Sequence, residues 1–283
     1  MKFKPLVIMC LLPAVAGCTS LERLAIPSSE LVSAQFQAAG TQDSISNEAW
    51  DSFLSSYTTL GEDGIVRVDY GAVSADDKQK LDSYVDYLAA QDATQFTRDA
   101  QLAYWINLYN ALTVSVILDN YPVDSIRDIS TSPLDFGPWG EKRIVVNGRE
   151  LGLHDIEHGI VRPLWSEEPR IHYALNCAAF GCPNLAQSAY TASNLEQKLQ
   201  ENSVLYINDP RGVSVGEDGK VTLSKIFSWY REDYGGSEET VLVHVRQYAE
   251  PDLLAALDQP DLSISYAYDW SLNDTATAAQ GPQ

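Results

Sequence analysis

The sequence predicts an α+β fold: a single domain of β-hairpins packed around a buried central helix. Three observations carry this reading. Residues 97–120 are apolar nearly all the way round, short strand-like runs with turn signals sit between helical stretches, and no repeat period appears. With 283 residues, 45% of them hydrophobic, the chain has material for a core that needs no staple. The 39 acidic against 19 basic side chains give a net charge of −20, which repels a phosphate backbone and excludes nucleic acid as a partner.

At the N-terminus, Lys2 and Lys4 precede an apolar run from Leu6 to Val15, followed by Ala16-Gly17-Cys18. A membrane-spanning helix needs about 20 apolar residues, so this shorter run reads as a signal peptide over 1–17. The small residues before Cys18 resemble a bacterial lipoprotein box. That resemblance implies a diacylglycerol and palmitate anchor on Cys18. With Thr19 and Ser20 next to it, it also implies sorting to the outer membrane, with the domain facing the periplasm. Lipid is then the expected membrane attachment, because like-charged headgroups repel an acidic chain. Residues 18–45 read as a tether, 46–274 as the domain and 275–283 as a disordered tail.

Within the domain, Trp50, Phe53, Leu54 and Tyr57 are spaced for an amphipathic helix, as are Leu81, Tyr84, Val85 and Leu88. Between them, 65–68 reads as a strand after Gly61-Glu62-Asp63-Gly64. In the buried helix over 97–120, Asn107 and Asn110 share a face, and buried amides must find partners. Asn147-Gly148 between 143–146 and 149–153 predicts a hairpin with a type I′ turn. A short helix is expected over 155–162, stopped by Pro163, then a strand over 170–176 and a loop over 177–183. Ser193 and Glu196 read as a capping box. Strands at 213–215 and 221–223, a helix capped by Ser224, a helix over 239–257 and a strand over 264–269 complete the domain.

Three sets of segments, AYWINLYNALT (103–113), HDIEHGIVRPLW with RIHYALNCAAFGCP (154–165 and 170–183), and SKIFSWY with YDWSLN (224–230 and 268–273), resemble the domain-of-unknown-function 547 family over about 95–273. The resemblance implies no settled activity. Similar domains fused to glutaredoxin-like and DEP modules point toward thiol chemistry or signalling. A buried helix followed by hairpins and a histidine-bearing strand also looks distantly like the papain or transglutaminase plan, although Asn107 stands where a nucleophile would be expected.

Cys177 and Cys182 support two readings. One is a structural disulfide, as expected for paired cysteines in an exported protein. The other makes Cys177 the nucleophile of a thiol-dependent hydrolase or transferase acting on an envelope substrate, with His158 or His172 as its base. Strand alternation sets His172 on the face of Ala174 and Asn176. Glu157 lies beside His158, and Asp269 is a candidate to orient an imidazole. The rival class is a non-catalytic binding or assembly lipoprotein with a structural disulfide, using a groove around Asn107, His158 and His172; Asn107, Asn110 and Asn176 are the candidate binding residues. His154-Asp-Ile-Glu157-His158 also fits the inverted zincin order, which makes a zinc metallohydrolase a further alternative. The helix ends at Pro163 without a third ligand, however, so neither metal nor cofactor is expected. His244, among Val and Leu, reads as a satisfied, partly buried side chain.

Overall fold

A computed structural model describes residues 30–129, 137–260 and 262–278. The expected signal peptide and the lipidation site Cys18 lie outside these residues. Among the described residues no helix is long and apolar enough to cross a membrane.

The first long helices are α1 (Glu48–Tyr57) and α2 (Ala75–Ala89), which bury the apolar faces expected of them, and the central α3 (Arg98–Asn120). Extended Thr97 starts α3, Asp99 places an acid at its positive end, and Tyr121 ends it ahead of Pro122. Residues 100–117 are all buried, so this helix is held by packing on every side.

Small sheets surround it. β1 (Thr58–Leu60) pairs antiparallel with β2 (Val66–Val68), and β3 (Ile144–Val146) pairs antiparallel with β4 (Arg149–Leu151). In the second hairpin Asn147 and Gly148 have φ of 48° and 76°, the signature of the expected type I′ turn. A Cβ at Gly148 would meet nothing within 4 Å, so Gly148→Ala should cost only the left-handed penalty of about 1 kcal/mol. A urea melt checks this, and no loss would contradict the turn assignment. β5 (Val213–Val215) and β6 (Val221–Ser224) form the third hairpin, and β7 (Ile264–Ala267) joins β6 in parallel. After α4 (Leu195–Ile207), the expected helix over 239–257 divides into α5 (Glu238–Tyr248) and α6 (Pro251–Leu257), because Pro251 starts a new helix. The architecture is α+β.

Apolar side chains gather into two clusters. One surrounds α3; the other, around Tyr206, Phe227 and Val245, lies under the three-stranded sheet. Leu175 and Ala178 belong to the first, while Tyr206, which donates to the carbonyl of Gly181, belongs to the second. The 177–183 loop therefore lies at their seam.

Several boundaries differ from the sequence expectation. The packed domain begins ahead of residue 46, since Phe36 is fully buried edge-on to Trp105. Residues Thr275–Ala278 form a helical turn where a disordered tail is expected, and 279–283 lie outside the described residues. The expected strand over 170–176 is instead a 3₁₀ helix, Pro169–Tyr173, whose start is capped by the Glu168 carboxylate accepting from the Arg170 amide. The strand-alternation argument for His172 falls with it. The expected Ser193 box is replaced by Thr191 and Asn194, each side chain accepting from the other's amide. Ser224 caps its helix as expected, accepting from the Ile226 amide at 3.2 Å.

Candidate functional site

Asn110 and Asn176 build the floor of the thiol loop. Asn110 donates to the Ala174 carbonyl and accepts from the Asn176 amide, both at 2.9 Å. Asn176 then donates to the Pro183 carbonyl and accepts from the Ala178 amide, both at 2.8 Å, so one side chain ties the two ends of the loop. Ala178 has φ of 63°, a left-handed conformation that costs a non-glycine residue about 1–3 kcal/mol and persists where surrounding bonds over-determine it. Those bonds include a ladder to the C-terminal segment: Gly181 donates to the Asp269 carbonyl at 2.8 Å and Asn273 to that of Ala178 at 2.9 Å. Asn107 does the same job elsewhere, exchanging bonds of 2.8 and 2.9 Å with the backbone of Tyr190. All three asparagines are spent on backbone, so they position the site and leave their amides little capacity for a ligand.

The folded loop brings Cys177 and Cys182 together as free thiols, Sγ to Sγ at 3.0 Å. Cys182 is buried and Cys177 only partly so. The Cys182 sulfur accepts from the Cys177 amide at 3.2 Å and sits 3.1 Å from the Tyr268 hydroxyl, which is 3.6 Å from the Cys177 sulfur. Burial opposes charge on Cys182, but bonds from the Cys177 thiol, Tyr268 and the Cys177 and Ala179 amides outweigh it and draw its pKa down to about 7. The bond to Cys182, and then burial, push Cys177 upward. The pair thus loses its first proton readily and holds its second, with the charge resting on Cys182 rather than on the expected Cys177.

The histidines form an adjoining network. The expected helix over 155–162 is a π-helix, Asp155–Val161, running directly into Arg162–Leu164; Pro163 sits in the first turn of the latter and does not stop the chain. Its face carries His158, whose Nδ1 accepts from Arg162 at 2.9 Å. Arg162 also makes a two-pronged pair with Asp233 at 2.6 and 2.8 Å, and Asp233 binds His172 Nε2 at 2.7 Å. Tyr230 stacks on His172 with ring centres 4.0 Å apart. Buried Glu157 accepts from Tyr109 at 3.0 Å; desolvation would raise its pKa, but His158, Tyr230, His172 and Arg162 together hold it below the ordinary carboxylate value. Burial raises the pKa of Tyr109 and Tyr230, and a negative charge on the thiol pair would oppose their ionisation further.

No imidazole among the described residues is hydrogen-bonded to either sulfur. Asp269 accepts from the amide and hydroxyl of Ser271 instead of orienting a histidine, a part taken for His172 by Asp233. Tyr268 and Asp233 are the site residues that local sequence patterns miss: they lie 86 and 61 residues from the groups they bind. His154 and His158 rings are 4.5 Å apart, but Nδ1 of His158 faces a guanidinium, and no three His, Cys, Asp or Glu side chains among the described residues converge for a metal.

Burial pushes His158 and His244 down to about 4; His244 bonds the Tyr173 hydroxyl at 2.9 Å. Between about pH 6.5 and 4 the unfolded chain binds protons on these rings that the native chain refuses. Stability should therefore fall as pH falls through that window. Urea midpoints at pH 7 and 5 test this, and the drop should shrink in His244→Asn.

Residues 93–207 match the family described as "Protein of unknown function, DUF547", which bears out the family resemblance over 103–113, 154–165 and 170–183; the segments 224–230 and 268–273 lie beyond the match. No curated protein and no solved structure matches the chain.

Proposed function

We propose that the protein is a thiol-dependent oxidoreductase of the bacterial envelope, lipid-anchored at Cys18, whose working group is the Cys177–Cys182 dithiol and whose chemistry is thiol–disulfide exchange. The observation that carries this reading is the 3.0 Å contact of two free thiols, one of them stabilised as a thiolate. A disulfide has its sulfurs about 2.05 Å apart, so closure needs about 1 Å of movement. Acyl transfer would need an imidazole at the nucleophile, and those of His158 and His172 are engaged by Arg162 and Asp233. The papain or transglutaminase plan adds no support, because Asn107 of the central helix clamps Tyr190.

In the proposed exchange, Cys177 passes its proton to Cys182 along the sulfur–sulfur contact. It then attacks a substrate disulfide and expels one substrate sulfur. Cys182 passes its proton to the expelled substrate thiolate, attacks Cys177 Sγ and expels the second substrate sulfur, which takes up from solvent the proton that the pair released on its first ionisation. Two protein thiols are oxidised, one substrate disulfide becomes two thiols, and the two protons of the dithiol end on them; the reverse oxidises a substrate dithiol.

Trapping tests the reading. Wild type treated with an aromatic disulfide should release two thiol equivalents and end as the intramolecular disulfide, while Cys182→Ser should retain one probe on Cys177. A wild-type chain that keeps one probe equivalent, or that reacts only when denatured, would overturn it.

A further inference from the structure

We infer that Tyr268 is a catalytic residue of the dithiol centre, its hydroxyl shared by the two sulfurs and donating to whichever one carries the negative charge. The inference rests on the exchange reading above and begins with placement. Tyr268 Oη is 3.1 Å from Cys182 Sγ and 3.6 Å from Cys177 Sγ, so a small rotation of one O–H bond transfers the stabilisation from one sulfur to the other. The ring is fixed for this task. Trp229 and Trp270 pack against it with centroids 4.8 Å away, and the Asp269 carbonyl next to it accepts from Gly181 of the thiol loop. Gly181 has no room for a side chain here: a Cβ would sit 2.9 Å from the Asp269 backbone and 3.1 Å from the Tyr268 ring.

The direction of donation is also set. Burial first, then the charges of Cys177 and Cys182, hold the Tyr268 phenol protonated, so it faces a thiolate as a donor. The other titratable groups around the pair do not take its place. Tyr70, Tyr109 and Tyr206 are buried phenols bonded to Asn273, Glu157 and Ser224, Tyr230 is a partly buried one engaged by Glu157, and Arg211 donates to the Cys182 carbonyl at 3.2 Å. Exchange moves the charge from Cys182 to Cys177 before the first attack and back to Cys182 before the second. A neutral donor within reach of both sulfurs lowers both steps without itself losing a proton.

The test uses the full chain and its Tyr268→Phe variant, which keeps the ring and its tryptophan contacts. Thiolate absorbance near 240 nm, followed against pH, should show the first thiol ionisation about one unit higher in the variant. Reaction with an aromatic disulfide should be about fivefold slower at pH 7, as the thiolate fraction falls, and approach wild type above the new pKa. Trp229→Phe, which alters the packing and keeps the hydroxyl, should leave the titration in place. If wild type exchanges disulfides but Tyr268→Phe titrates and reacts unchanged, or is slowed equally at every pH, Tyr268 has only a structural role and this inference fails. If wild type does not exchange at all, the reading of the site fails with it.

Discussion

Asn176→Ala should lower stability by about 3 kcal/mol and uncouple the two thiols. The substitution leaves the Ala178 amide and the Pro183 carbonyl without the partners that Asn176 supplies at 2.8 Å. Asn176 itself is only 5% exposed, so water does not readily replace it. Each buried unsatisfied backbone group costs about 1–3 kcal/mol. The left-handed Ala178 would lose one of the bonds that hold it, and relaxation there moves Cys177, its neighbour. Urea denaturation measures the first effect. The second appears as a rise in the first thiol ionisation toward that of an ordinary cysteine, because the Cys177 amide would no longer be held against the Cys182 sulfur. A variant with native stability and an unchanged thiol titration would show that Asn176 does not shape the loop.

Asp233→Ala should cost about 3 kcal/mol or more. Asp233 is the shared partner of Arg162 and His172, whose side chains are 19% and 2% exposed, and its removal leaves a partly buried guanidinium facing an imidazole network without the carboxylate that its fork binds. Breaking one side of such a pair is destabilising by about 3–5 kcal/mol when fully buried, and the partial exposure here places the expectation at the lower end. Asp233→Asn, which keeps an acceptor oxygen, should lose less. Equal losses in the two variants would mean that packing rather than charge holds the network. The same comparison separates the network from the thiols: disulfide exchange by the folded fraction of Asp233→Asn should stay close to wild type, since neither histidine touches sulfur.

What the sequence made legible, and what it did not, follows from the range of each interaction. The central helix announces itself through a run of residues with no polar face, the β3–β4 hairpin through Asn147-Gly148, and the β6 helix cap through Ser224, because each is decided within a few residues. Residues 170–176 look strand-like from their alternation, yet Pro169 and the Glu168 side chain start a 3₁₀ turn and no neighbouring strand pairs with them. The same limit governs the site. The cysteine pair was visible as a pair, and His158 and His172 as companions in sequence, but the proton on the pair is distributed by Tyr268 and by the Cys177 amide. The partner of His172 proved to be Asp233 rather than Asp269. Phe36 likewise sits in a stretch that reads as tether and is placed in the core by Trp105, 69 residues further on by sequence number. Local pattern carries turns and caps; long-range hydrogen bonds between loop and C-terminal segment carry the chemistry.

The central claim is that Cys177 and Cys182 cycle reversibly between dithiol and disulfide. The most direct test is an equilibrium redox titration of the full chain in dithiothreitol and glutathione couples, with both thiols counted by alkylation mass. A single two-electron transition, with both thiols appearing together at a potential above about −300 mV, is the expected result. A pair that stays oxidised throughout the titration, or two thiols that never oxidise together, would contradict it.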